Sequence, residues 1–328
     1  MLLPLSRIPE LSPNRQAFPL IKEFISRSEQ LQIKVHEQNG VTVIDCGVHV
    51  EGGWEAGILF AAVCLGGLAQ VKLHWLDFDG LRWPSVEVVT DHPIRACMAS
   101  QYAGWPIKIG PGLIMGSGPA CAIVHKGNLF RMLGYEDHSE MAIICLEGRG
   151  LPSAEVIEHI LEECHCDRSN LTILVAPTAS QVGSVQVAAR ALETGLFKLR
   201  RLGYDLGKIV SGWGVCPIPP VARDTLNGLG RTNDAISYGS SVLYNLRDKD
   251  ELLEDVVKQV PSCTTRKYGR AYMDVQATHQ NFFNLDPDQF TPAEIWLSNL
   301  NSGRSFHAGV LRPDILRKSF GLETSSSK

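Results

Sequence analysis

The stretch LTILVAPTASQVGSVQVAARALETGLFKLRRLGYDLGKIVS, residues 171–211, decides the fold class. Leu171–Ala176 is a short aliphatic and β-branched run, the pattern of a strand buried on both faces. Pro177-Thr178-Ala179-Ser180 follows with turn residues and hydroxyls that can cap a helix. From Val182 to Leu202 the spacing of Val185, Ala188, Ala189, Leu192, Leu196 and Leu199 lays one apolar stripe along a single helix. Gly203 closes it, and residues 208–211 resume as a strand. Strand, amphipathic helix and strand make a βαβ unit, which predicts parallel pairing of its two strands.

Outward from that unit the alternation of element types continues. Upstream lie a helix over about 14–30, a strand pattern through Val41 and Val43 that extends over 47–50, and a helix over 55–68. Asp79-Gly80, set between two alternating runs, predicts a β-hairpin. A Gly- and Pro-rich segment from Gly104 to Gly118 precedes a helical stretch, a strand at Met141–Leu146 and a helix at Ser153–Cys164. Downstream, a Gly- and Pro-rich region over 212–220 leads through 230–234 to an acidic helix over 250–260. The class is therefore α/β, a mixed fold with at least one parallel βαβ unit. Residues 1–323 read as a single unit and 324–328 as a flexible tail.

Composition narrows the function. The 328 residues carry a net charge of −4, with Lys and Arg scattered rather than striped, which excludes a phosphate-backbone partner. No apolar run approaches the roughly 20 residues that span a bilayer, so no membrane partner is expected. Pro4 interrupts the first apolar residues and no basic segment precedes them, which speaks against a signal peptide and for the cytoplasm. Nine cysteines, an odd number, fit reduced and mostly buried thiols better than a disulfide framework.

Along the helix over 182–202, Gln186, Arg190, Glu193 and Phe197 fall on one flank beside the apolar stripe, at the boundary where a cleft is lined. In a partly buried cleft Glu193 could take a proton from water while Arg190, one turn away, tunes it. The competing reading is an ordinary i,i+3 surface ion pair. Arg before Glu is the weaker order for such a pair, so helix stability is a poor reason for it. Three glycine-rich segments, Gly110–Pro119, Pro177–Ser184 and Gly212–Pro220, could cradle an anion or ligand, though each could equally be a turn. The tract His159 with Cys164-His165-Cys166 lacks a second ligand pair, so no metal is expected. No phosphate-loop, dinucleotide or Gly-x-Ser-x-Gly signature is present.

Eleven strings occur in order along nearly the whole chain. They are Asp45-Cys46-Gly47-Val48, Gly53-Trp54-Glu55-Ala56-Gly57, Thr90-Asp91-His92-Pro93, Ala99-Ser100-Gln101-Tyr102-Ala103-Gly104-Trp105, Met115-Gly116-Ser117-Gly118-Pro119-Ala120 and Ala176-Pro177-Thr178-Ala179-Ser180. Gly183-Ser184-Val185-Gln186 with Arg190-x-x-Glu193, Cys216-Pro217-x-Pro219-Pro220, Gly230-Arg231-Thr232-Asn233-Asp234-Ala235, Lys267-Tyr268-Gly269 and Phe290-x-Pro292-Ala293-Glu294 complete them. Together they resemble the methenyltetrahydromethanopterin cyclohydrolase family. The resemblance implies a compact α/β fold of two lobes, their boundary left open, around a pterin-binding cleft between them, a homotrimer, no metal or redox cofactor, and reversible hydrolysis of a methenyl bridge to an N5-formyl group. It places the family's Arg-x-x-Glu pair on Arg190 and Glu193, and offers Ser117, Glu147, Ser180, Ser184, Gln186, Asn233 and Asp234 as contacts to the pterin and its tail, with caps and turns as their alternative roles. Cys121 departs from the pattern, standing where many relatives place Arg, which implies altered tail recognition. A cyclohydrolase acting on a folate or another tetrahydropterin, or a non-catalytic pterin-binding protein, are the alternatives.

Overall fold

The computed structural model describes residues 11–102, 104–109, 112–124, 128–266, 268–276 and 291–322. The signal-peptide reading of the first residues and the tail expected at 324–328 lie outside the described residues.

Two six-stranded mixed sheets organise these residues. The first runs, in space, β1 (Lys34–Gln38), β2 (Val41–Asp45), β8 (Leu171–Ala176), β7 (Ala142–Glu147), β6 (Gly112–Ser117) and β5 (Trp105–Ile109). β2, β8 and β7 are parallel neighbours, and the hairpins β1–β2 and β5–β6 border them. The second runs β12 (Ser305–Gly309), β11 (Glu294–Asn299), β10 (Ser241–Leu246), β9 (Ile209–Pro217), β4 (Arg82–Thr90) and β3 (Gln70–Asp77). Here β10 and β11 are parallel and the other pairs antiparallel. The hairpin expected at Asp79-Gly80 joins β3 to β4; both residues have positive φ, 55° and 83°, as a two-residue turn with the strands' own twist requires.

The parallel centre of the first sheet, β2, β8 and β7, is buried on both faces. Ile44, Ile143, Cys145 and Leu174 meet Phe24 of α1 (Pro13–Ser26) and Phe60 of α2 (Trp54–Cys64). The alternate residues Val43, Ile144, Ile173 and Val175 enter a larger core shared with Val88, Cys216, Val242, Tyr244 and Ile295 of the second sheet. α3 (Cys121–Val124) and α4 (Asn128–Leu133) follow β6 and add Cys121, Leu129 and Phe130 to this core. Among the described residues no helix is long and apolar enough to cross a membrane.

The parallel βαβ unit exists, but not where the sequence pattern put it. β7 and β8 pair in parallel through α5 (Ala154–Cys164), whose N-terminus is capped by the Ser153 hydroxyl accepting the Val156 N–H at 3.4 Å. The strand that follows residues 182–202 cannot join β8, because β2 and β7 already occupy both of its edges. It becomes β9 of the other sheet, and the helical segment bridges the two. Its stripe packs on β9 closely enough that a Cβ on Gly214 would stand 3.1 Å from the Cβ of Leu192.

That segment is also two helices, α6 (Gln181–Ala188) and α7 (Ala191–Arg201), rather than one. At Ala189 and Arg190 ψ opens to −5° and −3°, and the Arg190 N–H turns back to Val187 O at 3.0 Å. Ala-Ala-Arg-Ala is a strong helix-forming run, so propensity carries no sign of the break. The strand pattern over 47–50 is likewise absent, because the Asp45 carboxylate accepts the N–H groups of Gly47, Val48 and His49 at 3.0, 2.7 and 2.9 Å and curls the chain. Two of the three glycine-rich cradles are largely strand, β6 and β9. Residues 230–234 lie on α8 (Thr225–Gly239), capped by Asp224. α9 (Asp250–Val257), α10 (Tyr272–Gln276) and α11 (Pro313–Phe320) complete the fold.

Candidate active site

The carboxyl ends of parallel strands are where an α/β sheet presents its turns, and the site is built there. Glu147, the last residue of β7, lies opposite Ala176, the last of β8. The turn Pro177–Ser180 then reverses the chain into α6. Thr178 donates its hydroxyl to the Glu147 carboxylate. Ser180 is the helix cap: its hydroxyl accepts the Gly183 N–H at 3.0 Å and donates to Pro177 O at 2.7 Å. Gly183 cannot carry a side chain, since a Cβ would overlap the Pro177 carbonyl.

Two turns into this segment stands Arg190, whose guanidinium has four acceptors. Nη1 donates to Glu193 Oε2 at 2.9 Å and to the Gln101 carbonyl at 2.6 Å; Nη2 donates to the Ser117 hydroxyl at 2.9 Å; Nε donates to Gln186 Oε1 at 3.3 Å. The pair is not a surface ion pair: the side chains of Arg190 and Glu193 are only 14% and 9% exposed. Gln101 ends an eight-residue π-helix, Ile94–Gln101, buried along its whole length. Short π segments recur at functional sites because they displace side chains from helical register. Phe197, one turn beyond Glu193, stacks on Tyr102 with centroids 5.6 Å apart.

Burial pushes the Glu193 carboxyl above the usual carboxylate range, and the Arg190 charge and hydrogen bond oppose the rise without cancelling it. Burial alone would lower the Arg190 value, but Glu193, Cys64 and Glu147 outweigh it and hold the guanidinium charged. The result is a basic carboxylate beside a fixed cation, the arrangement that suits proton transfer from water. Beside it a recess enclosing about 230 Å³, solvent included, is lined by Phe60, Met115, Ser117, Glu147, Gln186 and Arg190. A second recess, of about 270 Å³, has Tyr102, Trp105, Cys121 and Phe130 in its walls. Cys121 is buried there with its thiol pushed up to about 12, so it presents no charge to a ligand.

Of the residues singled out in the sequence, Arg190, Glu193, Gln186, Ser117 and Glu147 come together. Ser180 is occupied as a cap, and Ser184 is buried on the first turn of α6, its N–H on Ser180 O at 2.9 Å. Asn233 and Asp234 stand apart on α8. Asn233 donates to Leu229 O at 2.8 Å, one turn back. Asp234 accepts the Tyr272 N–H at 2.9 Å and the Ser319 hydroxyl at 2.6 Å, tying α8 to α10 and α11. Gln101, Thr178, Phe60 and Met115 were not singled out. Gln101, Met115 and Thr178 have position within the quoted strings as their sole signal, and Phe60 has none.

Burial raises Asp234 to about 7. A carboxyl raised from 3.8 binds its proton more tightly in the folded chain, so its stabilisation is complete below about pH 4 and lost as pH rises to about 7. Asp234→Asn keeps an acceptor for Tyr272 and is expected to flatten this fall. Urea midpoints measured between about pH 4 and 8 check it; parallel curves for the two proteins would refute the assignment.

Comparisons with known proteins show which family the chain resembles. The family model described as Cyclohydrolase (MCH) matches residues 12–320. A methenyltetrahydromethanopterin cyclohydrolase of Methanosarcina barkeri is 44% identical over 317 residues, 95% of this chain and 99% of that protein. Proteins of the same name from Methanococcoides burtonii and Methanocaldococcus jannaschii are 42% and 38% identical, each across 95% of this chain and 99% and 98% of their own.

Proposed function

Since the chain belongs to the methenyltetrahydromethanopterin cyclohydrolase family, a family of hydrolases acting on a cyclic amidine, we propose that it hydrolyses N5,N10-methenyltetrahydromethanopterin reversibly to the N5-formyl derivative, with Glu193 as the general base. The observation that carries the assignment of roles is the buried Arg190–Glu193 pair beside an open recess.

The methenyl carbon lies between two nitrogens in a cationic amidinium and is electrophilic as bound. Glu193 removes one proton from water as its oxygen bonds to that carbon. The protonated carboxyl then delivers its proton to N10, the C–N10 bond breaks, and the remaining hydroxyl proton leaves to solvent as the formyl C=O forms. One water is consumed and one proton released. The carboxylate also stabilises the cationic substrate before reaction, so its catalytic gain comes from activating water. Burial supports this role because it raises the basicity of Glu193, and Arg190 keeps enough of the group ionised to act.

Ser117, Glu147 and Gln186 line the recess and are assigned to the pterin. The resemblance also supports assigning Ser180, Ser184, Asn233 and Asp234 to the carrier, through its tail or through the framework that shapes its site. A homotrimer in the cytoplasm, acting without metal or redox cofactor, completes the proposal. An electrophilic substrate carbon supports the last part of it, and the free cysteines support a reducing compartment.

The test is the absorbance of methenyltetrahydromethanopterin after addition of purified protein and a chelator, beside a methenyltetrahydrofolate control. Rapid loss of the first signal alone is the expected result. Loss of the folate signal alone would move the substrate to a folate, and stability of both would leave a binding protein.

A further inference from the structure

We propose that Gln101 is a positioning residue for the Arg190–Glu193 pair, an inference that rests on the cyclohydrolase reading of that site. Gln101 is fully buried at the end of the π-helix. Its backbone carbonyl accepts Arg190 Nη1 at 2.6 Å, and its side-chain Nε2 donates to the Ala189 carbonyl at 3.3 Å. The two contacts fall on consecutive residues, and those residues are the break between α6 and α7. One glutamine thus holds the break from its main chain and its side chain together.

The break matters because it sets where α7 begins. Arg190 stands at the cap position of α7 with φ −84° and ψ −3°, and Glu193 is in the first turn. A continuous helix would turn the guanidinium relative to Ser117 and the Gln101 carbonyl, which are fixed on other elements. The neighbours of Gln101 brace those elements as well. Ser100 O accepts the Gly118 N–H at 2.8 Å, next to Ser117, and Ser100 Oγ donates to Cys64 O at 2.7 Å. Tyr102 packs on Phe197. Three consecutive residues therefore pin the end of β6, the start of α7 and its next turn.

The side chain is a poor choice for stability alone. Gln101 Oε1 is buried without a hydrogen-bond partner among the described residues, whereas an apolar side chain of the same length would leave no such group. What the amide supplies that methionine would not is the donor to Ala189 O.

Two readouts on Gln101→Met decide the matter: steady-state kinetics, and titration of the Glu193 carboxyl by its ¹³C resonance, identified by its loss in Glu193→Gln. The expected result is a kcat lowered by about tenfold or more with KM within about twofold, and a Glu193 titration moved to higher pH because Arg190 no longer sits squarely on it. An unchanged titration, with or without a loss of kcat, overturns the proposal, since a merely structural role lowers the amount of folded protein and leaves the titration in place. Should the methionine variant not fold, Gln101→Leu removes the donor without introducing a charge; the same readouts and outcomes apply. A moved titration in a protein whose wild type leaves the methenyl substrate untouched would retain the positioning role and discard the cyclohydrolase reading.

Discussion

Glu193→Gln is expected to lower kcat by about 10²–10⁴-fold, the range a general base contributes, while the substrate still binds, somewhat more weakly for want of the carboxylate charge. The amide keeps the volume of the carboxylate and an acceptor for Arg190 Nη1, so the 2.9 Å contact can persist with its charge removed. What is lost is the ability to take a proton from water. The wild-type rate should fall as pH drops through the raised Glu193 value, because the protonated acid cannot act as base. In the variant that acid limb should vanish, leaving a low, flat rate. Turnover within a few-fold of wild type, or an acid limb still in place, would assign the base to another group, and Glu147 in the same recess would be the first to examine.

Arg190→Leu is expected to be the most damaging single change. It strands Glu193 without its cation at a site only 9% exposed. Removing one partner of a buried pair costs about 3–5 kcal/mol, much of it from the charge left behind. The Ser117 hydroxyl, the Gln101 carbonyl and Gln186 Oε1 lose a partner as well. The carboxyl would then take up a proton rather than stay charged, so stability should recover on acidification while activity is absent near neutrality. Arg190→Lys separates charge from geometry. Lysine restores a cation but cannot span four acceptors in the plane of a guanidinium. Its acid limb should lie above that of the wild type and its kcat below it, with a smaller loss of urea midpoint than for leucine. Equal midpoints for wild type and Arg190→Leu would show that the pair is not held as the structure has it.

The recess and the pair are adjacent but not identical. Arg190 lines the recess, and Glu193 adjoins it through its hydrogen bond to the guanidinium. In the mechanism we propose, the order of the Arg190 side chain, which holds Glu193 Oε2 at 2.9 Å, is therefore coupled to catalysis. That coupling is how the proposed role of Gln101, remote in sequence and buried, would reach the chemistry.

Local and periodic features were legible in the sequence alone. The stripe from Val185 to Leu199 is buried, the Asp79-Gly80 hairpin turns as its residues demand, and the cap at Ser180 is in place. Each depends on a few neighbouring residues and on side-chain period, which a sequence records directly. The approach of Arg190 to Glu193 was legible for the same reason, three residues being nearly one helical turn. Tertiary structure decided the rest. Which sheet β9 would join depended on both edges of β8 being taken, and those edges are filled by segments some 30 and 130 residues away in sequence. The break at Ala189-Arg190 runs against propensity and coincides with contacts from residue 101. Whether Arg190 and Glu193 were a solvated surface pair or a buried one followed from what packed over them, because burial is a property of the assembled core and not of the helix that carries the residues.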